Sequence, residues 1–306
     1  MHELTAILVS MVLSATPLLL AASGELVTEK SGVLNLGVEG MMVVGAVVGF
    51  GVAFGTDSAI AGFAVAAIAG ALMAALFAVL TLIFLANQVA TGLALTIFGL
   101  GLSALMGKAY IGKTLPPVPH LQIPGVSDLP LIGPLIFGEN AMVYVSVAFT
   151  IAIAWYLSRT RSGLVLRSIG ENHDAAHALG YPVRRIRFLS VLFGGAMSGL
   201  GGAYLSIVYT PLWTEGMTAG RGWIALALVV FSTWKPWRLL FGAYLFGFFS
   251  IAQLHAQGFA VPIAPEFLSM LPYLATILVL VLISRDAKRI RLNAPAALGK
   301  AFRATA

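Results

Sequence analysis

The chain has 306 residues, 59% of them hydrophobic and 10% charged, with a mean hydropathy of +0.95 and a formal net charge of +6. A water-soluble domain carries about 25% charged residues, so water is excluded as the main solvent and the unit of organisation is a span of about 20 apolar residues. Cysteine is absent, which excludes a disulfide framework, a thiolate metal site and a cysteine nucleophile, and the basic excess reads as membrane topology and lipid contact rather than nucleic-acid binding.

Nine spans are predicted in chain order: 4–22, 34–55, 59–86, 88–106, 140–158, 187–210, 219–234, 238–255 and 267–284. The first is not read as a cleaved signal peptide, because no Lys or Arg precedes the apolar run and further spans follow. The second opens on Asn35, Gly37, Glu39 and Gly40, a pattern that fits a plain span or a broken helix. The seventh is short and carries Arg221 near its start. The predicted fold is therefore all-α: one polytopic transmembrane helix bundle over residues 1–306.

The basic residues orient it. With loop 159–186 cytoplasmic, alternation places 23–33, the turn at Asn87, loop 235–237 and the tail 285–306 on the same side. That side then holds 15 of the 18 Lys and Arg residues, leaving out only Lys108, Lys113 and Arg221. This is the positive-inside asymmetry, and it predicts an N-out, C-in arrangement, which itself requires an odd number of spans. Between the fourth and fifth spans, 107–139 contains Pro116, Pro117, Pro119, Pro124, Pro130 and Pro134. That many prolines exclude a long helix, so an extracytoplasmic loop is expected. Gly45-xxx-Gly49, Gly51-xxx-Gly55 and Gly195-xxx-Gly199 place small residues where helices approach closely in lipid.

Residues Gly107 to Thr114 match the G-x-x-x-x-G-K-[ST] spacing of a phosphate-binding loop. The mechanism needs a strand before the loop and a helix after it. Here a span precedes it and Leu115-Pro116-Pro117 follows, so no ATP site is expected. Neither a nucleophile elbow nor a His-Glu-x-x-His zinc motif occurs. His173 and His177 have i, i+4 spacing, but no third ligand adjoins them; neither a metal nor a cofactor is expected, nor an enzyme activity of the chain itself. Among the 12 acidic residues, only Glu39 falls within a predicted span. A single carboxylate makes a poor ion relay, which disfavours a proton- or sodium-coupled carrier.

The cytoplasmic loop carries the most information. Asn172 or Asp174 is placed to cap a short helix, residues 175–179 continue it, and Gly180 stops it with Pro182 just beyond. Its alanine-rich surface makes a poor lipid anchor and a good close-packing face for a protein partner. Asp174-Ala175-Ala176-x-x-x-Gly180 resembles the E-A-A-x-x-x-G signature of ABC importer permeases, with Asp174 conserving the charge of the signature's Glu. The stretch Gly170-Glu171-Asn172 through Leu179-Gly180, with Gly194-Gly195-Ala196 and Gly199-Leu200-Gly201-Gly202-Ala203-Tyr204, is similar to the permeases for ribose, branched-chain amino acids and nucleosides. Residues 29–42 and 86–95 look like the nucleoside or simple-sugar branch.

The resemblance implies a permease subunit in the bacterial plasma (inner) membrane that passes a nucleoside or simple sugar inward. Its implied partners are a cytoplasmic ABC ATPase, a second permease subunit that is a homologue or a second copy, and an extracytoplasmic substrate-binding protein. It also implies that Glu171, Asn172, Asp174, Ala175, Ala176 and Gly180 form the coupling helix that docks in the ATPase. The polar groups expected along the translocation pathway are Asn35, Glu39, Asn87, Gln88 and Thr91, each able to bond hydroxyls or ring nitrogens. Glu215 and Arg221 are expected on the outer side, facing the binding protein. The alternatives are an ion-coupled secondary carrier and an ABC permease for branched-chain amino acids.

Overall fold

The computed structural model describes residues 2–121, 138–258, 267, 270–284 and 293–303. In chain order the helices are α1 (His2–Lys30), α2 (Val38–Thr56), α3 (Ala59–Ala78, extended by a π turn over Val79–Ile83), α4 (Gln88–Gly107), α5 (Ala141–Arg159), α6 (Arg161–Glu171), α7 (His173–Ala178), α8 (Val183–Tyr204, extended by a π turn over Leu205–Tyr209), α9 (Arg221–Phe231), α10 (Pro236–Gly258) and α11 (Leu271–Ser284). Among the described residues there is no β-strand, only isolated bridges such as Ile111 to Trp213 and Thr114 to Leu212. Seven of the helices are long and apolar enough to cross a membrane, and the apolar α9 is shorter. In hydrocarbon every backbone polar group has to be satisfied within its own segment, which helices achieve.

Two predicted boundaries move. The first span does not stop at residue 22: nothing in Ser23 to Lys30 breaks a helix, the Thr28 hydroxyl bonds the Gly24 carbonyl at 3.3 Å, and α1 runs on to Lys30. The second span is not a broken helix. Residues 34–37 are a non-helical approach, and α2 then runs uninterrupted from Val38 to Thr56. Loop 159–186 holds the additional helix α6, capped by the Thr160 side chain, which accepts from the Gly163 amide at 3.0 Å.

Helices α1, α2, α3 and α8 form the inner bundle, α4 packs on α2, and α5, α9 and α10 pack on α1. Helices α3, α4 and α5 turn large apolar side chains outward, such as Ile60, Leu72, Ile97, Phe98 and Trp155. Helix contacts in lipid rest on close packing, because the surroundings are as apolar as the side chains. Glycines provide that closeness here. A Cβ on Gly45 of α2 would lie 2.5 Å from the Gly199 Cα of α8, and one on Gly40 would lie 2.7 Å from the Leu95 carbonyl of α4. Gly49, Gly195 and Gly199 of the predicted small-residue pairs also stand at crossings, whereas Gly51 faces the Tyr110 ring and Gly55 faces open space.

The two ends of the bundle gather different segments. At one end Lys30 to Gly32, Gly170, Arg187 and residues 293–303 come together. At the other, Leu115 donates to the Pro211 carbonyl at 2.9 Å and Lys113 lies over the Phe54 ring. Of the predicted proline-rich loop, 122–137 lies outside the described residues, as do 285–292 and 304–306 of the predicted tail.

Gly45→Leu forces a side chain into the Gly199 backbone and is expected to destabilise the bundle by about 3 kcal/mol, the upper range for overpacking. The thermal midpoint in detergent reads this directly. Gly55→Leu should leave the midpoint in place, and equal midpoints for the two variants would contradict the packing described.

Candidate functional site

One site lies on α7 and its flanks. Asn172 ends one helix and starts the next: its amide donates to the Ser168 carbonyl at 2.9 Å, while its side-chain oxygen accepts from the Ala175 amide at 2.9 Å. Of the two predicted caps it is therefore Asn172 that serves, and Asp174 sits in the first turn, where its charge suits the positive end of the helix dipole. At the far end the Gly180 amide bonds the His177 carbonyl at 2.8 Å and the Tyr181 amide bonds the Ala176 carbonyl at 3.1 Å. This pair of bonds requires a left-handed residue after the helix, and Gly180 has φ +85°.

The helix has two faces. Glu171, Asn172, Asp174, Ala175 and Gly180 are exposed, and beside them Leu179 is 77% exposed. Ala176 points inward and packs in a cluster with Ile169, Val183 and Phe302. A bulky residue at Ala176 would therefore disrupt local packing, and only Ala175 offers the outward test. His173 also points inward, with Nδ1 3.1 Å from the Arg187 guanidinium. Burial, and then the Arg187 charge, hold its pKa below the usual histidine value, and because a guanidinium only donates, Nδ1 is the acceptor in this contact. Among the described residues no group of His, Asp and Glu is arranged to hold a metal.

The second site is polar and lies where residues 34–37 meet the start of α4. The Gln88 Oε1 accepts from the Leu34 amide at 2.8 Å, the Asn35 Oδ1 accepts from the Gly37 amide at 3.0 Å, and a Cβ on Gly92 would lie 2.8 Å from the Leu36 nitrogen. Asn87 caps α4 by accepting from the Ala90 amide at 3.0 Å, and the amide of Thr91 bonds the Asn87 carbonyl. The structure thus brings Gln88 against the 34–37 segment, while the buried Asn35 side chain bonds within its own turn, to Gly37 and Met41, and Asn87 and Thr91 bond within the first turn of α4. Gln88 Nε2 is buried with no bonding partner, an exposed cost in this fold that a ligand or water would relieve.

Glu39 is engaged elsewhere. Its Oε1 accepts from the Thr218 hydroxyl at 2.6 Å and the Gly220 amide at 2.9 Å, and its Oε2 accepts from the Gly222 amide at 2.6 Å. A carboxylate on the first amides of α9 is a strong helix cap. Arg221 turns back on its own loop, donating to the Met217 carbonyl at 3.1 Å.

Glu39 is also not the lone acid in the spans. Glu25 and Glu29, on the part of α1 that was read as a loop, are 0% and 1% exposed. The Glu25 Oε1 accepts from the Asn35 amide at 3.3 Å, and the Glu29 Oε2 accepts from the Trp234 indole at 2.5 Å. The signal that would have found them is the absence of any helix breaker before Lys30. Glu139, at the opposite end of the bundle, is buried too, and burial pushes its carboxyl up to about 7. The segment Gly107–Thr114 follows helix α4 and runs into bridges with Leu212 and Trp213, so it lacks the strand–loop–helix geometry that cradles phosphate.

Residues 7–280 match the family model described as the permease component of the branched-chain amino acid transport system. The chain is 39% identical to the putative glucose ABC transporter permease protein of Haloferax volcanii, over 94% of both chains. It is 33% identical to the guanosine ABC transporter permease protein of Bacillus subtilis, over 87% of this chain and 88% of that one. The nucleoside ABC transporter permease protein of Lactococcus lactis is 31% identical over 92% of this chain and 93% of its own length. No solved structure matches.

Glu39→Ala strands three buried donors and is expected to cost about 3 kcal/mol, within the range for hydrogen bonds to a charged group. Glu39→Gln, which keeps one carbonyl acceptor, should cost less. Thermal unfolding in detergent checks the order, and an unchanged midpoint for Glu39→Ala would contradict the capping role.

Proposed function

This chain belongs to the family of branched-chain amino acid transport permeases, and from that premise we propose that it is the membrane-spanning subunit of an ABC importer that passes a nucleoside or simple sugar inward. The observation that carries the reading is α7. It is a short helix capped at both ends, anchored by an inner face and presenting small exposed residues and Leu179 outward. A single exposed apolar side chain is ordinary on a protein surface; what makes this outward face a docking site, and the ATPase its partner, is the family premise together with the capped, close-packing shape of the helix. Glu171, Asn172, Asp174, Ala175 and Gly180 then form the docking surface, with Ala176 seating it.

Seven helices are long and apolar enough to cross a membrane, and counting the shorter α9 and α11 as crossings too gives the nine spans of this reading. The basic residues Lys30, Arg161, Arg167, Arg184, Arg185 and Lys300 belong to segments that meet at the α7 end of the bundle, which supports that end as cytoplasmic and the arrangement as N-out, C-in in the plasma membrane. The opposite end, with 107–121 and 210–220, is the side for a substrate-binding protein. A second permease, a homologue or another copy, completes the pore.

Relatives that carry glucose, guanosine and nucleosides favour a hydroxyl-rich substrate. Asn35, Asn87, Gln88 and Thr91 supply neutral donors and acceptors suited to sugar hydroxyls and base nitrogens, with Gln88 Nε2 the free donor among them. Glu39 frames this passage by holding α2 to α9. The family premise assigns the energy to the ATPase, and Gly107–Thr114, which follows a helix rather than a strand, fits that assignment. The permease contributes states of different affinity, between which α7 displacement shifts the balance.

Purified in mild detergent with its ATPase and second permease, and reconstituted with the binding protein, the complex should import labelled nucleoside or glucose only when ATP is supplied on the α7 side. Ala175→Trp should retain ATP hydrolysis and an unchanged thermal midpoint while lowering uptake per ATP by about tenfold, a mid-range coupling energy. Uptake by the chain alone without ATP, or normal uptake in Ala175→Trp, would contradict the reading.

A further inference from the structure

The inner face of α7 is fastened by one buried cation. Arg187, on the second turn of α8, is 0% exposed. Its Nε donates to the Ser31 carbonyl at 3.0 Å, its Nη1 to the Lys300 carbonyl at 3.1 Å, and its Nη2 lies 3.1 Å from His173 Nδ1. One guanidinium therefore joins four pieces of chain: the end of α1, the start of α8, helix α7 and the C-terminal segment 293–303. Among the described residues no carboxylate pairs with it. A buried charge held by neutral acceptors is costly unless its bonds are well made, and the planar fork of arginine suits three acceptors at fixed angles.

The C-terminal segment closes over this centre. The Ala297 amide donates to the Gly170 carbonyl at 2.8 Å, the Gly299 amide to the Gly32 carbonyl at 3.2 Å, and Lys30 Nζ to the Asn293 carbonyl at 2.7 Å. Phe302 is 5% exposed, and its ring meets His173 and His177 edge-to-face at 5.4 and 5.3 Å between centroids. Gly32 leaves room for the clamp, since a Cβ there would lie 2.6 Å from Arg187 Nη2.

Helix α7 has six residues, hinged at Asn172 on one side and Gly180 on the other. A helix that short has no stability of its own, and a push on its outer face would be absorbed at those hinges. We infer that Arg187 and Phe302 are positioning residues for coupling: with segment 293–303 they strap α7 to the ends of α1 and α8, so that displacement of α7 moves those two helices instead of flexing the loop. This rests on the reading of α7 as the ATPase-docking helix. Because α1 also carries Glu25 against the Asn35 amide, a rigid strap gives the docking surface a direct route to the polar passage.

The test uses the complete importer in proteoliposomes. Phe302→Ala should keep ATP hydrolysis within about twofold while uptake per ATP falls about fivefold or more, and Phe302→Trp should restore it. The chain has no cysteine, so nitroxide labels placed by Ala178→Cys and Leu189→Cys, attached to the purified subunit before assembly, report the α7–α8 distance within it. The distribution should be narrow in the parent, broad with Phe302→Ala and narrow again with Phe302→Trp. Arg187→Lys, which keeps the charge and loses the fork, should broaden it as well. If Ala175→Trp uncouples while Phe302→Ala leaves both uptake per ATP and the distribution unchanged, the strap is wrong and the docking helix stands. If neither variant uncouples, the docking reading itself fails. Loss of hydrolysis, assembly and uptake in proportion, with a narrow distribution, would reduce Phe302 to a structural contact and overturn the inference.

Discussion

Helix α8 can reach the centre of the bundle only because its backbone touches others directly. A Cβ on Gly195 would strike the Ala74 Cβ and the Gly70 carbonyl, one on Gly199 the Ala66 carbonyl, and one on Gly202 the Met42 carbonyl, so α3 and α2 press on one stripe of α8 with at most a methyl group between. On another side a Cβ on Gly24 of α1 would lie 2.5 Å from the Met197 Cβ and 2.9 Å from the Gly194 carbonyl. In lipid such contacts replace the hydrophobic drive that holds soluble cores together. They also fix the height of α8 along α1, and hence the position of Arg187 opposite the Ser31 carbonyl. The clamp on α7 is a consequence of glycine packing deeper in the membrane.

From that fixed frame α1 touches both candidate sites. Its last two turns bury Glu25 and Glu29, one against the Asn35 amide and the other against the Trp234 indole that follows α9. Its end carries Ser31 and Gly32, which meet Arg187 and Gly299. A movement of α7 passed to α1 would therefore reach residues 34–37 and the start of α4 without crossing a flexible joint. Glu39 holds the other flank by capping α9. Tightly packed elements shift between discrete arrangements more readily than they deform, which suits a passage that has to alternate between two openings.

Much of this was legible in the residues. Apolar runs gave most spans within a few positions, since membrane helices advertise themselves by length and composition. Asn172, Gly180 and the alanines between them announced α7, because caps and stops are local chemistry. The reading failed where tertiary contact decides. Glu25 and Glu29 fall in segment 23–33, placed outside the first span, yet the Trp234 indole and the Asn35 amide supply partners for them inside the bundle. Ala175 and Ala176 looked equivalent, and only the cluster around Phe302 separates outward from inward. Gln88 could be named as polar, but its bond to the Leu34 amide depends on the 34–37 segment crossing α4. Arg187 was counted as a topology charge, since nothing in the sequence signals that carbonyls 156 and 113 residues away converge on it.

The most direct measurement is a cross-link from the exposed tip of α7. With cysteine absent from this chain, Leu179→Cys loaded with a short thiol-reactive cross-linker before assembly reports from that position of the subunit. The account predicts a product with the ATPase subunit whose yield changes with ATP, and no such product from Ile111→Cys, exposed at the opposite end of the bundle. An ATPase product from Ile111→Cys and none from Leu179→Cys would contradict the assignment of α7 as the docking helix and the orientation built on it.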